Sequence, residues 1–191
     1  MRPIPQKPPY CFDNDCIASF LWTKTTDLLI ALFPSQIVVP RVVYTEMSYL
    51  SRFPRYAWVF EQLQQLEATG TLQVRDIPAA GPGAREFWKL TSGEGYKNKQ
   101  LGKGEAAALV LVRYYGRTVA SNNLKDVAPY CREHGLDLIS TDDILCLACQ
   151  RKLISVAEAE GVWDEMKRRQ RKLPPYNFAE AYRRFLEDKP K

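Results

Sequence analysis

The sequence predicts an α/β domain with a mainly parallel central sheet flanked by helices. Three observations predict it. Short apolar runs alternate with helical stretches along the chain. "QIVVP" is apolar and β-branched almost throughout, as a strand covered on both faces must be, and "LDLIST" reads as a second buried strand. The segments between such runs are long enough for the crossover helices that parallel pairing requires.

Taken in order, "YCFDNDCIASFLW" is a short strand that breaks at Asp13–Asn14–Asp15 and passes into a helix. "TDLLIALFP" is a helix with Thr26 or Asp27 as its cap, and Pro40 ends the strand "QIVVP". "RVVYTEMSYL" restarts a helix whose Val42, Val43, Glu46, Met47 and Leu50 fall on one side, so Glu46 lies on or beside the apolar face. "AWVFEQLQQLEATGTLQVRDI" reads as helix, Gly70 stop and strand, and the Gly/Pro-rich "PAAGPGAREFWKLTSGEGYKNKQ" as a connection that can include a short helix. "GKGEAAALVLVRYYG" is a strong helix, "RTVAS" a strand, "NNLKDVAPYCREHG" a helix with an Asn cap, and "DDILCLACQRKL" the helix after "LDLIST". Ser155 with Glu158, and Asn177 with Glu180, match the capping pattern at the starts of two last helices. The chain divides into a proline-rich segment over 1–9, a domain over 10–155 and a basic helical extension over 156–191.

With 191 residues, 46% hydrophobic and 26% charged, the chain can bury a core and has no composition of disorder. No apolar run approaches the roughly 18 residues of a membrane span, and "MRPIPQKPPY" lacks the apolar centre of a signal peptide, so the expected location is the cytoplasm. Five scattered cysteines fit reduced core thiols, and "CLAC" lacks the second ligand pair a zinc site needs. The net charge of +5 is concentrated at the end, where residues 161–191 hold nine Lys/Arg against five Asp/Glu. "MKRRQRK" can contact phosphates or form a solvated helix face.

In an open parallel sheet the functional crevice lies beyond the carboxyl ends of the strands. Asp13 and Asp15 follow the first strand, Asp126 lies in the helical turn after "RTVAS", and Asp142 and Asp143 follow "LDLIST". Glu46 and Glu105 belong to helices that pack at the same edge. Each acid singly has a duller reading: Asp13 and Asp142 as helix caps, Glu105 as a partner of a helix dipole, Glu46 paired with Arg41 or Arg52. Together, carboxylates so gathered repel unless neutralised, and a divalent cation does that. Oxygen ligands without His or Cys favour Mg²⁺ or Mn²⁺ and metal-assisted phosphodiester hydrolysis.

"FDNDCIASF", "IVVPRVVYTEM", "LGKGEAAALVLV" and "TVASNNLKDVAPYCREHGLDLIST" resemble, in that order and spacing, the PIN-domain ribonuclease family over about residues 10–155. Asp13 matches the family's acid after the first strand, Glu46 the acid on the helix after V-P, and Glu105 that of the G-E-A helix. The resemblance implies a three-layer α/β sandwich, bound Mg²⁺ or Mn²⁺, and cleavage of single-stranded RNA. It also implies the toxin of a toxin–antitoxin pair, held inactive by an antitoxin protein. On this reading Asp13, Glu46 and Glu105 form the metal cluster, with Asp126 as a further catalytic acid and Asp126 and Asp142 as completing ligands. Asp15 and Asp143 stand in reserve, Asn14 and Thr141 support the ligands, and Lys97, Lys99 and Lys103 flank the site. A homodimer through the helices bearing Trp22 and Trp58 is compatible with it.

The sequence departs from the family where Asn122 and Asn123 stand in place of one or two Asp after the fourth strand. Amide oxygens bring no charge, so the alternative is a PIN-like module that binds RNA or protein without cleaving. A doubly wound phosphotransferase of the receiver or haloacid-dehalogenase kind also uses an Asp after the first strand, but leaves Glu46 and Glu105 without a role.

Overall fold

A computed structural model describes residues 7–93, 99–116 and 118–187. Most of the proline-rich opening and Lys97 lie outside the described residues. Five strands form one parallel sheet: β1 (Tyr10–Phe12), β2 (Ile37–Pro40), β3 (Leu72–Arg75), β4 (Thr118–Ala120) and β5 (Asp137–Ile139). Their spatial order is β3-β2-β1-β4-β5, with Cys11 opposite Val38 on one side and Val119 on the other.

Strand alternation divides the interior in two. Phe12, Ile37, Val39, Leu72, Ala120 and Ile139 enter one apolar cluster, and Cys11, Val38 and Val119 enter the other. The first face is covered by α1 (Asn14–Thr23), α2 (Thr26–Leu32), α4 (Ala57–Ala68), α8 (Thr141–Gln150), α9 (Val156–Arg168) and α10 (Phe178–Glu187). The second receives α5 (Pro82–Ser92), α6 (Lys103–Tyr115) and α7 (Leu124–Glu133), while α3 (Arg41–Ser48) leads Val43 and Met47 into the first cluster. Helix, sheet and helix make a three-layer α/β sandwich, the class the alternation of elements predicts.

Local signals are honoured where they are self-contained. Ser155 and Glu158 close a reciprocal cap at the start of α9, and Asn177 Oδ1 accepts from the Glu180 amide at 2.8 Å. The Gly/Pro-rich connection contains the eleven-residue α5, begun by Pro82 in the first helical turn, where a missing N–H costs nothing. The expected cap at Thr26 or Asp27 shifts to Thr25, which makes no side-chain cap bond. The preceding helix ends at Lys24 in the left-handed conformation, so α2 starts after a tight corner and Thr26 is already helical.

The helices of 156–187 are not appended to this core but part of it. Trp163, Met166, Phe178 and Phe185 are buried in the first cluster, with Trp163 and Phe178 in contact at 6.2 Å between ring centres. Trp22 and Trp58, considered above as a pairing surface between copies, pack edge to face on each other at 5.7 Å. All five cysteines are thiols, four of them buried, and among the described residues no cluster that could hold zinc forms around "CLAC".

Candidate functional site

The chain runs outward from β1 to β2 and β3, then returns to lay β4 on the other side of β1. This is the switch point of a doubly wound sheet, and the crevice opens beyond the carboxyl ends of β1 and β4. Asp13 stands there. Its amide donates to the Ala120 carbonyl at 3.0 Å, continuing the strand pairing, and its side chain caps α1 through a 2.8 Å bond from the Cys16 amide to Oδ1. The cap accounts for one carboxylate oxygen. Oδ2, wholly buried, meets no donor at bonding geometry among the described residues. Burial pushes this carboxyl up to about 7; the Ser121 hydroxyl and Cys16 amide oppose the shift, and Asp15 and Glu105 add to it.

Glu105 is the third residue of α6. Oε2 accepts from the Gly102 amide at 3.3 Å, the helix-start role considered above, and Oε1 accepts from Asn123 Nδ2 at 2.7 Å. Glu46 accepts from Asn14 Nδ2 at 3.1 Å, whereas Arg41 reaches Asp76 and Arg52 lies over the Tyr49 ring. The expected arginine partners of Glu46 are thus engaged elsewhere. Burial raises the Glu46 pKa, against the pull of Asn14 and of the Lys103 ammonium. Three helices meet closely at this point because Gly104 has no side chain: a Cβ there would lie 3.0 Å from Val43 Cγ2 and 3.7 Å from Asn14 Cβ.

The remaining acids are tied locally. Asp126 accepts from Asn123 Nδ2 at 3.0 Å and pairs with Lys99, which holds its carboxyl below the ordinary range. Asp142 accepts from the Ser140 hydroxyl at 2.6 Å and from the Tyr176 hydroxyl at 2.8 Å. Asp143 completes the cap of α8 with Ser140. Thr141, expected beside the ligands, instead donates its amide to Asn122 Oδ1 at 2.9 Å. The two asparagines take roles that an ionic site would not give them. Asn122 is buried and its Nδ2 donates to the Lys172 carbonyl at 2.8 Å. Asn123 sits at the cap position of α7 without capping it, and its Nδ2 bridges Glu105 and Asp126. With carboxylates on both sides, only the amide N–H can face them.

Sequence reasoning missed Lys172. It belongs to the run read as a phosphate contact, yet its Nζ lies 3.1 Å from Asp15 Oδ2 and 3.4 Å from Glu105 Oε1. Of its neighbours, Arg168 and Arg169 pair with Glu165 on the exposed side of the chain, while Arg171 stacks on Trp22 at 4.9 Å. The only advance signal was a lysine in a short non-helical stretch, "RKLPPY", between two well-capped helices.

No protein-family model and no curated protein matches the chain. The site therefore rests on its own geometry. Asp15 and Glu105 both bear on Asp13, Glu46 joins them through Asn14 and Asp15, and Asp126 through Asn123. Among the described residues no three acidic, histidine or cysteine side chains stand close enough to hold a metal ion as placed. The donor set suits Mg²⁺ or Mn²⁺ in kind, being all oxygen with one buried oxygen unsatisfied, while a lysine ammonium occupies the space between two of the acids. No helix among the described residues is long and apolar enough to cross a membrane.

Proposed function

We propose that this chain is a Mg²⁺- or Mn²⁺-dependent endoribonuclease acting on single-stranded RNA in the cytoplasm, with Asp13, Glu46 and Glu105 as the principal ligands. Asp15, in reserve on sequence grounds, joins them because it neighbours Asp13 and shares Lys172 with Glu105. The observation that carries the reading is Asp13. A carboxylate buried at the switch point with one oxygen bonded and the other unsatisfied is costly to the fold, and such a cost is characteristic of a functional group awaiting a partner.

A bound divalent cation supplies charge for that oxygen and lowers the pKa of an attacking water. The chain's own residues do the rest. Asn14 orients Glu46, the Gly102 amide and Asn123 fix Glu105, and Lys99 with Asn123 keeps Asp126 ionised at the margin of the site. Lys99, paired with Asp126, and Lys103, which bears on Glu46, are the cations beside these acids that would contact a phosphate backbone. The toxin role and an antitoxin partner rest on the resemblance of the four motifs alone.

A specific observation favours a second reading, that of a non-cleaving RNA- or protein-binding module: Lys172 already balances Asp15 and Glu105, and Asn122 is structural. Incubation of a fluorophore-labelled single-stranded RNA with the protein and Mn²⁺ separates the two. Cleavage that disappears in Asp13→Asn and in EDTA supports the nuclease. RNA retained in a filter-binding assay but left intact by both proteins supports the module.

A further inference from the structure

The segment between α9 and α10 lies against the acids of this rim and is held there by four separate contacts. Lys172 Nζ reaches Asp15 and Glu105, the Lys172 carbonyl accepts from buried Asn122, Tyr176 donates to Asp142, and Arg171 lies on the Trp22 ring. Leu173 and Tyr176 also pack on the first apolar cluster. These contacts join the strap to α1 after β1, to α6, to the loop after β4 and to α8 after β5. Its ends are fixed, since α9 and α10 bury Trp163, Met166, Phe178 and Phe185. The chain leaves α9 at Gln170, whose φ of 55° lies in the left-handed region that a side chain of this type seldom adopts.

We propose that residues 169–176 are a built-in occupant of the acidic site, in which the Lys172 ammonium takes the place of a divalent cation, so that the cation binds only as the lysine withdraws. This rests on the metal-site reading above and adds to it a competitor within the chain. The unsatisfied Asp13 oxygen shows that the lysine does not fill the site: it balances Asp15 and Glu105 and leaves Asp13 open. Lys172 is tethered beside these acids, so its ammonium and a cation draw on the same carboxylates. Withdrawal also releases the Asn122 and Tyr176 contacts, which couples cation binding to the position of the strap.

Mn²⁺ titrations of the full chain by calorimetry test this, comparing wild type, Lys172→Met, Tyr176→Phe and Asp13→Asn, each checked for an unchanged fold by circular dichroism. Lys172→Met keeps the length of the side chain and removes the competing charge; we expect Mn²⁺ affinity to rise about tenfold. Tyr176→Phe leaves every charge in place and removes one anchor, so a smaller gain in the same direction, about threefold, is expected. In wild type, Mn²⁺ is expected to speed trypsin cleavage after Arg171 and Lys172. Wild-type binding that Asp13→Asn abolishes but Lys172→Met leaves unchanged or weakens overturns the strap and keeps the metal site. Absence of Mn²⁺ binding in all four proteins, or binding indifferent to Asp13→Asn, overturns both.

Discussion

Replacing Asp13 with Asn should make the metal-free protein more stable at alkaline pH and nearly remove one source of its pH dependence. The carboxyl lies at about 7 in the fold against an ordinary value of 3.8. Between those values the unfolded chain has released the proton while the folded chain still holds it, so stability falls as pH rises through this window. From those two values, the raised pKa costs the fold about 4 kcal/mol at pH 8 and about 2 kcal/mol at pH 5.5, a loss of about 2 kcal/mol between them. Asn keeps an oxygen for the Cys16 amide and removes the charge, although its new N–H must find an acceptor. That offsets part of the gain, and a net stabilisation of about 1–3 kcal/mol at pH 8 remains. Urea unfolding in EDTA at pH 5.5 and 8.0 measures both quantities. The gap between variant and wild type should widen by about 2 kcal/mol toward pH 8. A gap that is constant, or a variant weaker at pH 8, would refute the account of Asp13 as a buried carboxylate that the fold bears at a cost. Glu46, whose pKa is also raised, adds a residual slope in the same direction to both proteins.

Trp163→Ala should cost about 3–5 kcal/mol, since it empties a fully buried site shared by α9 and the core. Fluorescence and circular dichroism should report one coincident urea transition, and separate transitions would show the last helices to be independent of the domain. Gly104→Ala should destabilise by about 1–3 kcal/mol despite the better helix propensity of Ala, because the new methyl would stand 3.0 Å from Val43 Cγ2. A stabilised variant in thermal melts would contradict that close approach. Glu86 accepts from the Tyr114 hydroxyl at 2.8 Å and from Tyr130 and Arg113, so Glu86→Gln should lose about 1–3 kcal/mol in urea unfolding. Wild-type stability in that variant would mean the cluster contributes nothing net.

The sheet was legible because its signals are local and redundant. A strand covered on both faces leaves an apolar run such as Ile37–Pro40, and parallel pairing forces a helix between successive strands, so type and alternation can be read without tertiary knowledge. The extent of α5 was not legible, because its glycines, prolines and mixed polarity weaken the helical period and its position is settled by packing on α6. Capping by Ser155 was visible because both partners lie within one turn; the cap at Thr25 was not, because it follows from the corner at Lys24. Individual acids were visible as residues following strands or starting helices. Their partners were not: Glu46 chose Asn14, 32 residues away, over two nearer arginines, and Glu105 chose Lys172, 67 residues on.

Those partners change the electrostatic problem at the rim. The acids look, in sequence, like a group that repels itself until a cation neutralises it. In the fold most of that charge is answered piecemeal by the chain: Lys99 for Asp126, Lys172 for Asp15 and Glu105, Asn14 for Glu46, and Asn123 for both Glu105 and Asp126. Each pairing on its own is an ordinary, partly exposed contact of small net worth. What they leave over is Asp13, the most deeply buried of these acids and the one whose second oxygen meets no donor at bonding geometry among the described residues, although the Ser121 hydroxyl moderates its charge. The other acids of this rim are answered and the fully buried one is left open, and not for want of a cation nearby, since Lys172 already stands beside Asp15 and Glu105, both of which bear on Asp13. The unanswered charge is therefore concentrated on one oxygen atom at the end of β1, and lies there more than in the number of acids around it.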